Sequence, residues 1–195
     1  MAKPFVKKII SGAFKGKSLK LPSLETTRSS KTIVLESFFN TLQFDIIDAV
    51  FVECFAGSGS IGLEALSRGA AQIYFMELDR AAQKVLRENI NQTNPTKCEI
   101  FSGDTFVNIE QVVARLRKRK SSAYFYIDPP FSYREGQEKV YEKMITMIAG
   151  LPRENVEMII VEHMSALQLP ENIGVYKRKK LKKFGKTSLS YYRGE

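Results

Sequence analysis

Phe55-Ala-Gly-Ser-Gly-Ser-Ile-Gly62 sets glycines at 57, 59 and 62 between a short apolar run, 50–55, and an amphipathic stretch, 60–69. A strand that enters a helix through so tight a turn needs glycine where the chain reverses and where main-chain amides approach a ligand. No Gly-Lys-Ser or Gly-Lys-Thr follows, which excludes a P-loop. The next apolar run, 72–77, ends at Glu77, twenty residues after Gly57. A carboxylate there accepts hydrogen bonds from both hydroxyls of a ribose, so strand, turn, helix and acid together predict an adenosine-containing ligand. The candidate contacts are Phe55, Ala56, Gly57, Ser58, Gly59 and Gly62 on the turn, and Glu77 with Leu78 on the second strand.

Outward from this turn the same alternation continues. Short apolar runs at 50–55, 72–77, 98–102, 123–128 and 156–162 predict strands, and the stretches 60–69, 80–92, 105–118 and 136–149 predict helices. A further helix over 31–42 carries Val34, Leu35, Phe38, Phe39 and Leu42 on one face. The pattern is that of an α/β protein, a mainly parallel, three-layer Rossmann-like sheet with helices on both faces. Glu53, within the first strand, is placed to bind an ammonium group or a loop amide; pairing with a neighbouring cation is its plainer use. Asp104 follows the third strand, where it serves an adenine ring, caps the next helix, or does both; Thr105 adjoins it.

The 195 residues are 44% hydrophobic and 26% charged, with a net charge of +9, which fits one globular domain with its own core. The longest apolar run, Ala123 to Ile127, is far too short to span a bilayer. Ile9 and Ile10 run straight into Ser11-Gly12, so no signal-peptide core is expected and the protein is expected in the cytoplasm. Two cysteines and one histidine suggest neither a metal site nor a disulfide. The charge is uneven: residues 1–31 carry +7, residues 32–176 carry −5 and residues 177–195 carry +7. Such a distribution predicts a polyanion held by two basic ends around an acidic body. Both ends read as hairpins, Val6 to Ser11 with Lys17 to Pro22, and Ile173 to Leu181 with Lys186 to Tyr192, joined at Phe184-Gly185. Residues 1–30 are expected to form a basic β-hairpin extension on a body of 31–195, one structural domain overall. Arg115 to Lys120 close a helix, where cations complement its dipole.

The fourth strand ends in Tyr126-Ile-Asp-Pro-Pro-Phe131, at the carboxyl edge where open α/β sheets bind ligands. Asp128-Pro129-Pro130-Phe131 resembles the catalytic motif of S-adenosylmethionine-dependent methyltransferases that modify exocyclic amino groups. The lone pair of a base amino group is delocalised into the ring and is a poor nucleophile. The resemblance implies that the Asp128 carboxylate and the Pro129 carbonyl accept its two N–H bonds, favouring a pyramidal nitrogen. Proline stiffens the loop, and Phe131 stacks on a base taken out of its stack. Asp-Pro-Pro alone is also a good turn sequence; the glycine loop sets this one apart.

Glu53-Cys-Phe-Ala-Gly-Ser-Gly-Ser-Ile-Gly-Leu-Glu-Ala-Leu-Ser-Arg-Gly-Ala70 is similar to the bacterial 16S rRNA guanine-N2 methyltransferase family of the RsmD type. Ile9 to Leu19 resembles its opening hairpin, Glu36 to Leu42 its first helix, and Phe184 to Thr187 with Tyr191-Tyr192 its closing strands. The resemblance implies a seven-stranded class I methyltransferase sheet, S-adenosylmethionine as cofactor, and 16S rRNA or the assembled small subunit as partner, with a monomer expected. Lys7, Lys8, Lys15, Lys17, Arg28, Lys183 and Lys186 are then the expected RNA contacts, with Tyr133 and Arg134 beside the catalytic loop. The chain departs from the family at Arg28 to Glu36, where only Arg28, Val34 and Glu36 fit, and Glu53 stands where the family has Asp. His163, expected just past the fifth strand, is a packing or base-contacting residue; Tyr124, Phe125 and Tyr126 are expected in the core. Adenine-N6 methylation shares the tetrapeptide chemistry. A nicotinamide dehydrogenase leaves that tetrapeptide unexplained, and a noncatalytic RNA-binding assembly factor leaves Asp128 idle.

Overall fold

A computed structural model describes residues 6–22, 32–130 and 138–195. The chain opens with a hairpin of β1 (Val6–Lys8) and β2 (Ser18–Lys20), followed by α1 (Thr32–Thr41). An alternating run comes next: β3 (Val50–Cys54), α2 (Ser60–Ser67), β4 (Gln72–Glu77), α3 (Arg80–Asn91), β5 (Cys98–Ser102), α4 (Thr105–Arg119), β6 (Ala123–Ile127), α5 (Glu138–Gly150) and β7 (Val156–Met164). It closes with β8 (Asn172–Ile173), β9 (Tyr176–Phe184) and β10 (Thr187–Gly194).

The main sheet has the order β5-β4-β3-β6-β7-β10-β9-β8. β5 to β7 run parallel to one another, whereas β10 is antiparallel to both β7 and β9. The sheet therefore has eight strands instead of the expected seven, because the two residues of β8 pair with Tyr176 and Lys177 at the outer edge. The basic C-terminal hairpin is not a separate appendage; it is the antiparallel end of this sheet.

All residues of β3 and β6 are buried, as strands covered on both faces must be. Alternation sends Phe51, Phe75, Tyr126 and Ile160 into one layer with Phe38, Phe39, Leu66 and Leu86, from α1, α2 and α3. Val52, Cys54, Phe125 and Ile159 enter the other, with Val112 and Leu116 of α4 and Met144 and Ile148 of α5. Tyr124, Phe125 and Tyr126 are core residues, as expected.

The N-terminal hairpin is docked on the body. Ile9 and Leu19 are buried, each side chain contributing roughly 1.5–3 kcal/mol of hydrophobic stabilisation. Gly12 lies so close to α2 that a side chain there would collide with the carbonyl of Ser67. Among the described residues no helix is long and apolar enough to cross a membrane.

Candidate active site

Side-chain alternation decides what meets at the carboxyl edge of the parallel strands. In register, Glu53 of β3 lies beside Phe75 of β4 and Tyr126 of β6, and Tyr126 lies beside Ile160 of β7. Two residues further on, toward the same face, come Glu77, Asp128 and Glu162. Four neighbouring strands thus bring Glu77, Glu53, Asp128 and Glu162 to one edge, on the side covered by α1, α2 and α3.

Glu53 is buried, and both carboxylate oxygens are engaged at the start of α2, accepting from the amides of Ile61 at 3.3 Å and Gly62 at 2.7 Å. Of its two expected ligands, the amide is the one it holds. Burial pushes its pKa up to about 8, opposed by these two amides. So close an approach requires glycine: a methyl group on Gly62 would lie 2.5 Å from Phe75, 2.8 Å from Ile73 and 2.9 Å from Glu53 Oε2.

Glu77 closes the turn from the other side. Its carboxylate accepts from the amide of Gly57 at 2.6 Å and of Asp79 at 2.7 Å. Each oxygen keeps a second lone pair. Its carbonyl accepts from Gly103 at 2.9 Å, drawing the end of β5 alongside. Asp104 is exposed there and caps α4 by accepting from Phe106 at 2.9 Å, while Thr105 behind it is buried. Leu78 is 66% exposed, an apolar surface beside the carboxylate. Phe55 packs edge-on against Phe106 at 5.6 Å. Ala56 donates its amide to Met76, and Ser58 and Gly59 lie beneath the turn, Ser58 buried. A side chain at Gly57 would meet nothing within 4 Å, so the turn is open on that side.

Asp128 is half-buried at the end of β6, with Pro129 buried and Pro130 exposed. The phenol of Tyr126 donates to Glu162, both groups being buried. Phe131, Tyr133, Arg134 and Arg28 lie outside the described residues.

The expected RNA contacts divide. Lys8, Lys15, Lys17, Lys183 and Lys186 are exposed, Lys17 donating to the carbonyl of Gln92. Lys7 instead turns inward, donating to Ser60 Oγ at 3.3 Å. His163 lies within β7, not past it, because β10 continues the pairing as far as Met164. It is buried, with Nε2 2.9 Å from Ser190 Oγ and Nδ1 2.9 Å from the carbonyl of Met164. Both ring nitrogens are thereby engaged within the sheet.

The sequence model of the family described as Conserved hypothetical protein 95 matches residues 7–193. The chain belongs to this family. The resemblance to the RsmD type is borne out with it. YlbH of Bacillus subtilis, whose name proposes an rRNA methyltransferase, is 29% identical over 95% of this chain and 98% of its own length. Ribosomal RNA small subunit methyltransferase D of Escherichia coli is 34% identical over 124 residues, 64% of this chain and 60% of that one. The solved structure of yhhF of Escherichia coli, described as a candidate methyltransferase, superposes with a TM-score of 0.77 at 27% identity, covering 98% of this chain and 99% of that one. The expected three-layer methyltransferase sheet is thus the fold of this family member.

Three residues of this family member escaped sequence reasoning. Glu64 of α2, 1% exposed, accepts from the amides of Ile10 and Ser11 and from Arg68. Asn89 of α3, fully buried, holds both the amide and carbonyl of Lys20 and the carbonyl of Ser58, tying the hairpin to the glycine turn. An asparagine between Leu86 and Ile90 on a buried helix face is the signal that could have found it. Glu162 needed strand register.

Proposed function

We propose that this protein transfers the methyl group of S-adenosylmethionine to the exocyclic N2 amino group of a guanine in 16S rRNA. One observation carries the reading: Cys54 and Ile127 are paired in register, so the glycine turn and Asp128-Pro129-Pro130 leave adjacent strands side by side. The names of the relatives, which specify ribosomal RNA of the small subunit, support the substrate.

The residues present fit the donor. The open side of Gly57 leaves room for it, Glu77 offers lone pairs to ribose hydroxyls, and Leu78 with Asp104 flanks an adenine ring. When bound, the donor supplies a methyl group already activated by a sulfonium, so little general-base power is required. Asp128 and the Pro129 carbonyl hold the two N–H bonds of the amino group and turn its lone pair out of the ring. With the donor bound, the Asp128 carboxylate would accept the proton that the nitrogen sheds as its bond to the methyl carbon replaces the sulfur–carbon bond. Phe131 stacks on the flipped base, and Tyr133 and Arg134 contact its surroundings. Lys8, Lys15, Lys17, Arg28, Lys183 and Lys186 hold the RNA backbone around the acidic edge. In this reading the hairpin and the body act as one unit, as a cytoplasmic monomer on rRNA or the assembled small subunit.

The test is Asp128→Ala: donor binding survives and methyl transfer is lost. Unchanged transfer by that variant sinks the mechanism. Labelled donor offered to small subunits, free rRNA and DNA, with products mapped by mass spectrometry, tests the substrate. N2-methylguanine in 16S rRNA is expected; N6-methyladenine, or label in DNA alone, overturns the guanine reading.

A further inference from the structure

Lys7 differs from the other lysines of the hairpin in the direction β1 gives it. Strand pairing sets it opposite Leu19, and alternation sets it on the same face as Ile9. Ile9 and Leu19 are buried, Lys7 is half-buried, and Val6 and Lys8 on the opposite face are exposed. Its ammonium donates to Ser60 Oγ at 3.3 Å, at the first residue of α2 and next to Gly59 of the glycine turn.

The acids around this ammonium are Glu53, Glu162, Glu64 and Asp128. Glu53 is occupied by the amides of Ile61 and Gly62, Glu64 by Ile10, Ser11 and Arg68, and Glu162 accepts from Tyr126. Among the described residues Lys7 forms no ion pair. Burial holds its pKa below the ordinary lysine value, against the pull of those acids. A partly desolvated ammonium with one neutral acceptor among the described residues, facing the turn proposed to bind the donor, is matched by a carboxylate on the ligand. The proposed donor has a sulfonium, an ammonium and a single carboxylate.

We infer that Lys7, with the Ser60 hydroxyl beside it, binds the carboxylate of the donor's methionine moiety, making the N-terminal hairpin one wall of the donor site. The inference rests on the donor reading above. It gives the hairpin two jobs on two faces: Lys8 and its exposed neighbours meet RNA while Lys7 meets the donor.

Titration calorimetry with S-adenosylhomocysteine, which keeps the amino-acid moiety, and 5′-methylthioadenosine, which lacks it, separates the possibilities. Lys7→Met is expected to weaken S-adenosylhomocysteine about tenfold or more and to leave 5′-methylthioadenosine unchanged, which also shows that the variant is folded. Lys7→Arg, keeping the charge, is expected to lose less. Equal weakening of both ligands, or no change in either, overturns the inference, as does a loss confined to RNA binding. If the unaltered protein binds neither nucleoside, the donor reading itself fails and the inference with it.

Discussion

Glu64 in α2 accepts the main-chain amide of Ile10 at 2.7 Å, across 54 residues of sequence. The same carboxylate takes the amide of Ser11 at 3.1 Å and Arg68 Nε at 2.7 Å, and Arg68 in turn lies 4.7 Å over the ring of Phe39 in α1. Hairpin, α2 and α1 are joined through one buried acid. Glu64→Ala would strip the acceptor from these donors at once, and the expected loss is on the order of 3 kcal/mol. Denaturant unfolding measures it, and hydrogen exchange at Ile10 and Ser11 should accelerate with it.

Gly62 marks where α2 presses on the sheet. Alanine there drives a methyl group into Phe75, Ile73 and the Glu53 carboxylate, and overpacking of this kind costs about 1–3 kcal/mol. Because Glu53 is displaced with it, Gly62→Ala should lower the melting temperature and donor affinity together. Gly57→Ala meets open space but must hold a φ of +55°, a backbone strain of about 1–2 kcal/mol, so it should lower stability without displacing Glu53.

Glu53 gives the fold a pH signature. Its pKa is about 8 in the folded protein against 4.5 ordinarily, so the folded state holds a proton that the unfolded chain has released. Its contribution to stability is fully present below about 4.5 and is lost as the pH rises through about 8. The slope from this one group reaches about 1.4 kcal/mol per pH unit between those values. Urea midpoints across that window should fall as pH rises, and Glu53→Gln should flatten the fall.

His163 carries the opposite expectation for catalysis. Burial lowers its pKa, opposed by the hydrogen bond to Met164. A neutral ring donating Nδ1–H to that carbonyl and accepting from Ser190 satisfies both nitrogens. His163→Ala should therefore cost about 2–3 kcal/mol, with kcat unchanged below the lowered melting temperature.

The glycine turn, Glu77 and Asp128 were legible because each sits where an apolar run ends, and parallel strands bring such ends to one edge. The inward turn of Lys7 is hidden from a charge count over residues 1–31, which ignores alternation, although Val6-Lys7-Lys8-Ile9 sets Lys7 on the face of buried Ile9. The apolar run stops at Val161 and so places His163 outside its strand; the strand continues because β10 supplies partners through Met164. The Tyr126–Glu162 bond and the grip of Glu64 on the hairpin depend on pairing between distant segments, which no local pattern encodes.

Glu77 has one observed duty and one proposed. Its carboxylate already holds the amides of Gly57 and Asp79, and in the proposed complex it also accepts from the ribose. Glu77→Ala removes both functions, so donor affinity should fall about tenfold to a hundredfold with a loss of stability. Glu77→Gln keeps the shape and one acceptor oxygen but turns an NH2 group toward one of the amides. RNA affinity, which the proposal assigns to the basic surfaces, should stay within about twofold in both variants. If donor and RNA affinity fell in parallel, Glu77 would be acting through the fold of the edge and not through the ribose.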